Sequence, residues 1–168
     1  MRGDIAVERA LRDLPGPPPD QIIAVGKAAS AMARAASAAY PDAPVLIVTK
    51  YGHAEDAPAR AEVLEAAHPV LDENSLKAGA RMLDVANSMP EGSHLLMLVS
   101  GGASALAEAP VAGLDLASFK SRTKELLGSG ADIHSMNKIR KTLSRIKGGK
   151  LFDGFRGARV TTLAISDV

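Results

Sequence analysis

The fold is decided by the stretch Leu95-Leu96-Met97-Leu98-Val99-Ser100-Gly101-Gly102 (residues 95–102). Its first five residues form an uninterrupted apolar run, and so short a run ended by glycines is typical of a strand buried on both faces. Further strands are predicted at Gln21–Val25, Val45–Thr49, Glu62–Ala66 and Val160–Ile165. Because strands without alternating polarity are typical of parallel sheets, the pattern indicates a parallel sheet that helices cover on both faces.

Helical segments separate these strands. They are predicted at Ile5–Leu14, from Lys27 to about Tyr40, after the N-cap Asp72, after the N-cap Asp115, and from Asp132 to Lys147. Alternating strands and helices predict an α/β fold with a doubly wound, mainly parallel, Rossmann-like sheet. We expect residues 1–168 to form a single domain.

The composition excludes several classes of protein. The net charge of +1 argues against a nucleic-acid partner, and the absence of cysteine excludes a disulfide framework. The N-terminus lacks the apolar segment of a signal peptide, and the apolar run Leu95–Val99 is too short to span a bilayer. We therefore expect a cytoplasmic protein with no membrane partner; the sequence is compatible with a homo-oligomer.

The first candidate site is Val25-Gly26-Lys27-Ala28-Ala29-Ser30 (residues 25–30). A lysine at a strand-to-helix turn, beside free helix N–H groups, favours an anion there. The stretch lacks the first glycine and the Ser/Thr of a phosphate-binding loop. Lys27 is thus either an anion-binding residue or a solvated lysine at the start of a helix.

The second candidate site is Ser100-Gly101-Gly102-Ala103-Ser104 (residues 100–104). Two glycines after a buried strand allow a sharp turn and a close approach to a ligand. Successive backbone N–H groups there can hold a carboxylate or phosphate, and we favour this interpretation over a turn without a ligand. The stretch also approaches a Gly-x-Ser-x-Gly nucleophile elbow, but Leu106 replaces the last glycine, so a serine hydrolase is a weaker hypothesis.

The third candidate site lies on the predicted helix Asp132–Lys147. At about 100° per residue, an apolar stripe is formed by Met136, Ile139, Leu143 and Ile146. A solvated face is formed by Lys138, Lys141 and Arg145. Between them runs a polar stripe of Asn137, Arg140, Ser144 and Lys147, which either lines a cleft or belongs to an ordinary amphipathic helix. The four histidines show no metal-ligand spacing.

Several blocks along the chain match one family. They are Val25–Ala29 with Ala31–Ala33, Val48–His53, Ala67–Val70, Val99–Leu106, Leu126–Ile133, Asn137–Lys141, Leu143–Gly149 and Ile165–Val168. In their order and number these blocks resemble the glycerate kinases that phosphorylate the 2-position, whose members have also carried a hydroxypyruvate reductase label. Many members have a third glycine where this chain has Ala103, and their chains are much longer. The resemblance implies that residues 1–168 are the N-terminal part of a two-domain kinase.

The resemblance also implies an activity, namely phosphorylation of glycerate to 2-phosphoglycerate with ATP and Mg²⁺. It implies catalytic roles for Lys27, Arg140 and Lys147. Substrate or phosphate binding would fall to Ser100, Gly101, Gly102, Ser104, Asn137 and Ser144, and Asp167 would lie near the metal. Two alternatives remain, a nicotinamide-dependent hydroxypyruvate reductase and a non-catalytic sugar-phosphate-binding domain. The reductase is disfavoured because Gly26-Lys27-Ala28 departs from the Gly-x-Gly-x-x-Gly dinucleotide fingerprint.

Overall fold

A computed structural model describes residues 3–128 and 132–165. Its centre is a sheet of five parallel strands in the order β3-β2-β1-β4-β5. The strands are β1 (Gln21–Val25), β2 (Val45–Lys50), β3 (Glu62–Ala66), β4 (His94–Val99) and β5 (Arg159–Ala164). The predicted parallel sheet and Rossmann-like α/β class are confirmed, and the strand bounds differ from the predicted ones by no more than one residue.

The helices in the described part are α1 (Gly3–Arg12), α2 (Ala29–Ala39), α3 (Glu73–Ser88), α4 (Ala103–Leu106), α5 (Leu116–Gly128) and α6 (Ile133–Thr142). A 3₁₀ turn follows at Lys147–Phe152. No helix among the described residues is both long and apolar enough to cross a bilayer.

Apolar side chains cover both faces of the sheet. Successive residues of each strand point to opposite faces, so Ile22 packs in the core beside α2 whereas Ile23 packs in the core beside α3. Both side chains are fully buried. Burial on two sides accounts for the absence of alternation in β1, β2 and β4, and each such side chain contributes about 1.5–3 kcal/mol.

Two of the predicted helix caps are present. Asp72 Oδ1 accepts from the Ser75 backbone N–H at 2.9 Å, and Ser75 Oγ accepts in return from the Asp72 N–H at 3.1 Å. Asp115 Oδ1 accepts from the Ser118 N–H at 2.7 Å. These bonds satisfy N–H groups that the first turns of α3 and α5 leave without partners.

The predicted helix Asp132–Lys147 is wrong in its second half, because α6 ends at Thr142. Residues 143–145 instead pair with residues 109–111: the Val111 N–H donates to Leu143 O at 3.0 Å and the Arg145 N–H to Ala109 O at 2.7 Å. This tertiary pairing outcompetes the helical hydrogen bonds. The four residues of the predicted polar stripe therefore do not share one helix face.

Candidate active site

The order of the strands reverses between β1 and β4, which lie side by side at the centre of the sheet. Ligands of such folds bind outside the carboxyl ends of the strands at this point. There the loop after β1 is joined to the loop after β4: the Lys27 N–H donates to Gly101 O at 2.9 Å, and the Ala28 N–H donates to Ser100 Oγ at 3.1 Å. The first and second candidate sites of the sequence analysis, residues 25–30 and 100–104, are thus joined by hydrogen bonds.

The close approach of these loops requires glycine at position 26. Its φ is +130°, and a Cβ there would collide with Ser100 Oγ and lie 2.6 Å from Ser100 O. The Ser100 side chain is buried against this turn. Its hydroxyl already accepts the Ala28 N–H, so Ser100 shapes the turn.

His68 lies at the same edge, although it was not singled out in the sequence. Gly102 has φ +87°, and a Cβ on it would lie 2.9 Å from the His68 imidazole and 3.3 Å from Lys27 Cγ. Loops that follow β1, β3 and β4 therefore meet around Gly102. The Lys27 side chain is exposed at this edge.

A cavity of about 420 Å³ adjoins this edge. It is lined by Val25 and Val99, the last residues of β1 and β4. Four of the predicted site residues share its wall, namely Ser104, Asn137, Arg140 and Lys147. The structure thus brings these four together even though the helix proposed to align three of them ends early.

Arg140 is the best placed of these residues to receive an anion. Its Nη2 donates to Ser104 Oγ at 3.3 Å. Its Nε is buried and has no hydrogen-bond partner in the described part of the chain. A buried guanidinium N–H without an acceptor is costly, and a bound carboxylate or phosphate would satisfy it. Arg140 and Asn137 also border a second cavity of about 420 Å³, which includes Lys120 and Lys124.

The structure separates Ser144 from the other three residues of the predicted polar stripe. Ser144 is fully buried and does not contribute to the cavity that contains Arg140. Its hydroxyl donates to Glu108 Oε1 and accepts the N–H groups of Ile146 at 3.2 Å and Lys147 at 3.1 Å. Ser144 therefore holds the backbone immediately before and at the start of the turn Lys147–Phe152.

Lys147 forms an ion pair with Glu108, whose side chain is fully buried. Burial lowers the pKa of Lys147, and the positive charge of Arg140 lowers this pKa further, whereas Glu108 raises it. Glu108 was missed in the sequence. A signal was available, since Glu108 is a single carboxylate within Ala105-Leu106-Ala107-Glu108-Ala109 (residues 105–109), and a charge in an apolar run requires a partner.

The predicted metal residue Asp167 lies outside the described residues. Within residues 3–128 and 132–165, no group of three His, Cys, Asp or Glu side chains is arranged to hold a metal ion. His94 is buried, with Nδ1 2.9 Å from Pro17 O and Nε2 2.9 Å from Thr161 Oγ1, so it supports the amino end of β4.

The fold and the cavity together define an α/β domain whose cavity, lined by Arg140 and Lys147, lies at the switch point of its sheet. Residues 8–168 match the family described as "Domain of unknown function (DUF4147)", and the chain belongs to this family. The D-glycerate 2-kinase of Thermotoga maritima is 42% identical over 149 residues, which are 88% of this chain and 36% of that protein. A protein of Agrobacterium vitis that bears a hydroxypyruvate reductase name is 43% identical over 88% of this chain and 38% of its own length.

A crystal structure of a glycerate kinase shows the same similarity at the level of the fold. That of the Thermotoga maritima glycerate kinase matches 100% of this chain and 41% of its own, at 38% identity and a TM-score of 0.89. The resemblance to the glycerate kinases is therefore confirmed. The chain spans less than half the length of each of these relatives.

Proposed function

We propose that the full-length protein containing these residues phosphorylates glycerate with ATP to give 2-phosphoglycerate. The observation that carries this proposal is the meeting of Arg140 and Lys147 in one cavity, beside an edge where Lys27 is exposed. Relatives that bear glycerate kinase names support it, because they match most of this chain at about 42% identity. Glycerate and a nucleotide are thus the proposed partners.

Charge stabilisation explains why three cations would serve this reaction. In phosphoryl transfer, negative charge spreads over the equatorial oxygens of the transferred group, and catalysis consists mainly of positioning and of neutralising that charge. Arg140 offers a planar fork that suits a carboxylate or a phosphate, and its Nε lacks a protein acceptor among the described residues. Lys27 would contact nucleotide phosphates at the end of β1, and Lys147 would contact the transferred group beside Arg140 in the cavity.

Neutral groups would orient the substrate. Asn137 and Ser104 line the cavity and are exposed, so an amide and a hydroxyl are available to glycerate. Gly101 and Gly102 would let the ligand approach the backbone, while Ser100 holds their turn in place. Ser144 supports the position of Lys147 without touching the substrate.

Among the described residues, no cluster of three or more His, Cys, Asp or Glu side chains is arranged to hold a metal ion. Glu108 is already held by Ser144 and Lys147. Mg²⁺ in kinases is commonly bound by substrate phosphates with one or two carboxylates. The proposed contact of Asp167 with the metal concerns a residue outside the described ranges, and no step of the reaction is assigned to the ion.

We further propose that a second domain supplies the opposite wall of the cleft. The relatives are much longer than this chain, which spans 36% of the Thermotoga maritima kinase sequence. Phosphoryl transfer requires donor and acceptor to be fixed together away from water, where charge contacts are stronger. Residues 1–168 alone should therefore fold and bind anions weakly, without kinase turnover. Comparable turnover by this chain and the full-length protein would contradict the two-domain proposal.

The reaction class is tested by supplying the full-length protein with D-glycerate and MgATP and measuring ADP release. A parallel sample receives hydroxypyruvate and a reduced nicotinamide cofactor. We expect glycerate-dependent ADP release and no cofactor oxidation. Cofactor oxidation without ATP use would favour the reductase, and ligand binding without either reaction would favour a non-catalytic sugar-phosphate-binding domain.

A further inference from the structure

Glu108 is a buried charged residue that has no role in the proposed reaction. Its side chain has 0% exposure, and Lys147 retains 16% at the wall of the cavity. Glu108 Oε2 accepts from Lys147 Nζ, and Glu108 Oε1 accepts from Ser144 Oγ and, at 3.0 Å, from the Ala109 N–H. Every carboxylate oxygen is therefore engaged, and one of them holds a lysine that reaches the site.

The backbone of Glu108 is held as firmly as its side chain. Its N–H donates to Ser75 O in α3 at 3.0 Å. Gly79, also in α3, permits this contact, because a Cβ there would collide with the Glu108 carbonyl and lie 2.9 Å from the Ala109 nitrogen. The carboxylate is thus presented to Lys147 from a rigid support.

Stability alone does not account for this ion pair. In many proteins the free energy needed to remove two charges from water exceeds the free energy gained from their attraction. A protein with a well-packed apolar pair in place of a buried ion pair is often at least as stable. The pair has a further consequence for the cavity. Arg140 and Lys141 line the same cavity from α6, and the charge of Arg140 acts on Lys147. Burial and Arg140 both lower the pKa of Lys147, and Glu108 opposes them.

Three further charged groups lie near this network. Lys150 Nζ donates to Lys141 O at 2.6 Å and to Ser144 O at 3.0 Å. Arg145 and Asp153 line a neighbouring pocket together with Ser144 and Lys150. The residues that α3, β4 and β5 contribute to the cavity wall are Met82, Met97, Val99 and Thr162, which carry no charge. No acidic side chain is among the described residues that line this cavity. The carboxylate that compensates Lys147 is therefore that of Glu108, which is buried next to the cavity and pairs with Lys147 Nζ.

We propose that Glu108 is a positioning residue that keeps Lys147 charged and directed into the cavity, so that Lys147 and Arg140 together receive a phosphoryl or phosphate group. This inference rests on the proposed function, since it assigns a support to one of the proposed catalytic cations. It predicts that the anion affinity of the cavity depends on the charge of Glu108.

The test measures the affinity of the full-length protein for inorganic phosphate by isothermal titration calorimetry between pH 6 and pH 9. Glu108→Gln keeps the shape of the side chain and removes its charge. We expect this variant to bind phosphate about as tightly as wild type at pH 6 but at least about tenfold more weakly at pH 8, because Lys147 loses its proton at a lower pH. Because the two proteins are compared at the same pH, the titration of phosphate itself affects both affinities equally.

Two further variants separate charge from packing. Ser144→Ala damages the same network but leaves the ion pair, so it should lower the melting temperature without shifting the pH at which phosphate binding is lost. Glu108→Gln combined with Lys147→Arg should recover the affinity at pH 8, because a guanidinium stays charged without a carboxylate partner. If Glu108→Gln does not fold, Glu108→Asp, which withdraws the charge by one methylene, should shift the loss of binding in the same direction.

The inference is overturned if the wild-type protein does not bind phosphate, or if Glu108→Gln and wild type show the same pH dependence. It is also overturned if Ser144→Ala shifts that dependence as far as Glu108→Gln does. These outcomes can be distinguished from failure of the kinase proposal. A protein that binds phosphate as expected but releases no ADP with D-glycerate would contradict the proposed function and leave the role of Glu108 intact.

Discussion

Replacing Gly26 by alanine is predicted to be among the most damaging single-methyl changes in the domain. The residue has φ +130°, and the added Cβ would lie 2.6 Å from Ser100 O and 2.8 Å from Ser100 C. A non-glycine residue in so sparsely populated a backbone region costs about 1–3 kcal/mol, and overpacking a rigid site costs about 1–3 kcal/mol more. The sum, about 2–6 kcal/mol, is a large share of the ~5–15 kcal/mol that stabilises a typical domain.

The assay is urea unfolding of the 168-residue chain, with Gly52→Ala as the matched control. Gly52 has φ +76°, but a Cβ on it meets no atom within 4 Å. This control therefore carries only the backbone cost, roughly 1–2 kcal/mol. We expect Gly26→Ala to lower the free energy of unfolding clearly more than Gly52→Ala. Equal losses would refute the reasoning that the loops after β1 and β4 are locked by close contact.

Three further predictions concern individual side chains. Lys27→Ala should slow glycerate-dependent ADP release by raising the activation barrier by roughly 3 kcal/mol or more. The variant should still fold, because Lys27 is exposed. Turnover within a few-fold of wild type would mean that Lys27 is only a solvated lysine. Arg140→Ala should reduce kcat/KM by about a hundredfold or more, whereas Lys138→Ala, which removes an exposed charge from the same helix, should be nearly silent; equal effects would contradict the assignment of the cavity. Asp72→Ala should cost about 1–2 kcal/mol near pH 7 through the lost cap. Burial raises the pKa of Asp72, but its hydrogen bonds outweigh this effect, so the pKa is lowered. The stabilisation by Asp72 is therefore present at neutral pH and should disappear as the pH falls below about 4. Urea unfolding measures this, and a difference in the free energy of unfolding between Asp72→Ala and wild type that persists in acid would contradict it.

The strands could be predicted because their signal is local. β1 and β3 match the predicted ranges at both ends, and β4 begins one residue early, at His94. In each of β1, β2 and β4 both faces are buried, so the hydrophobic run itself marks the strand. The glycines that follow β1 and β4 mark the edge where the site forms, because they permit turns that other residues resist.

The rest of the site depends on contacts between distant residues. The Ser144 hydroxyl meets Glu108, which is 36 positions away, and Lys147 meets Glu108 across 39 positions. Helical periodicity cannot detect such contacts, and it extended α6 beyond Thr142 because the pairing of residues 143–145 with residues 109–111 is tertiary. Asn137 and Arg140 were placed together correctly because both lie on the part of the helix that is formed.

The measurement that tests the account most directly is identification of the phosphorylated product by ³¹P NMR. The full-length protein is incubated with D-glycerate and MgATP, and its product is compared with authentic 2-phosphoglycerate and 3-phosphoglycerate. We expect 2-phosphoglycerate, formed in step with ADP and lost in the Arg140→Ala variant. Formation of 3-phosphoglycerate, or consumption of ATP without any phosphorylated glycerate, would contradict it.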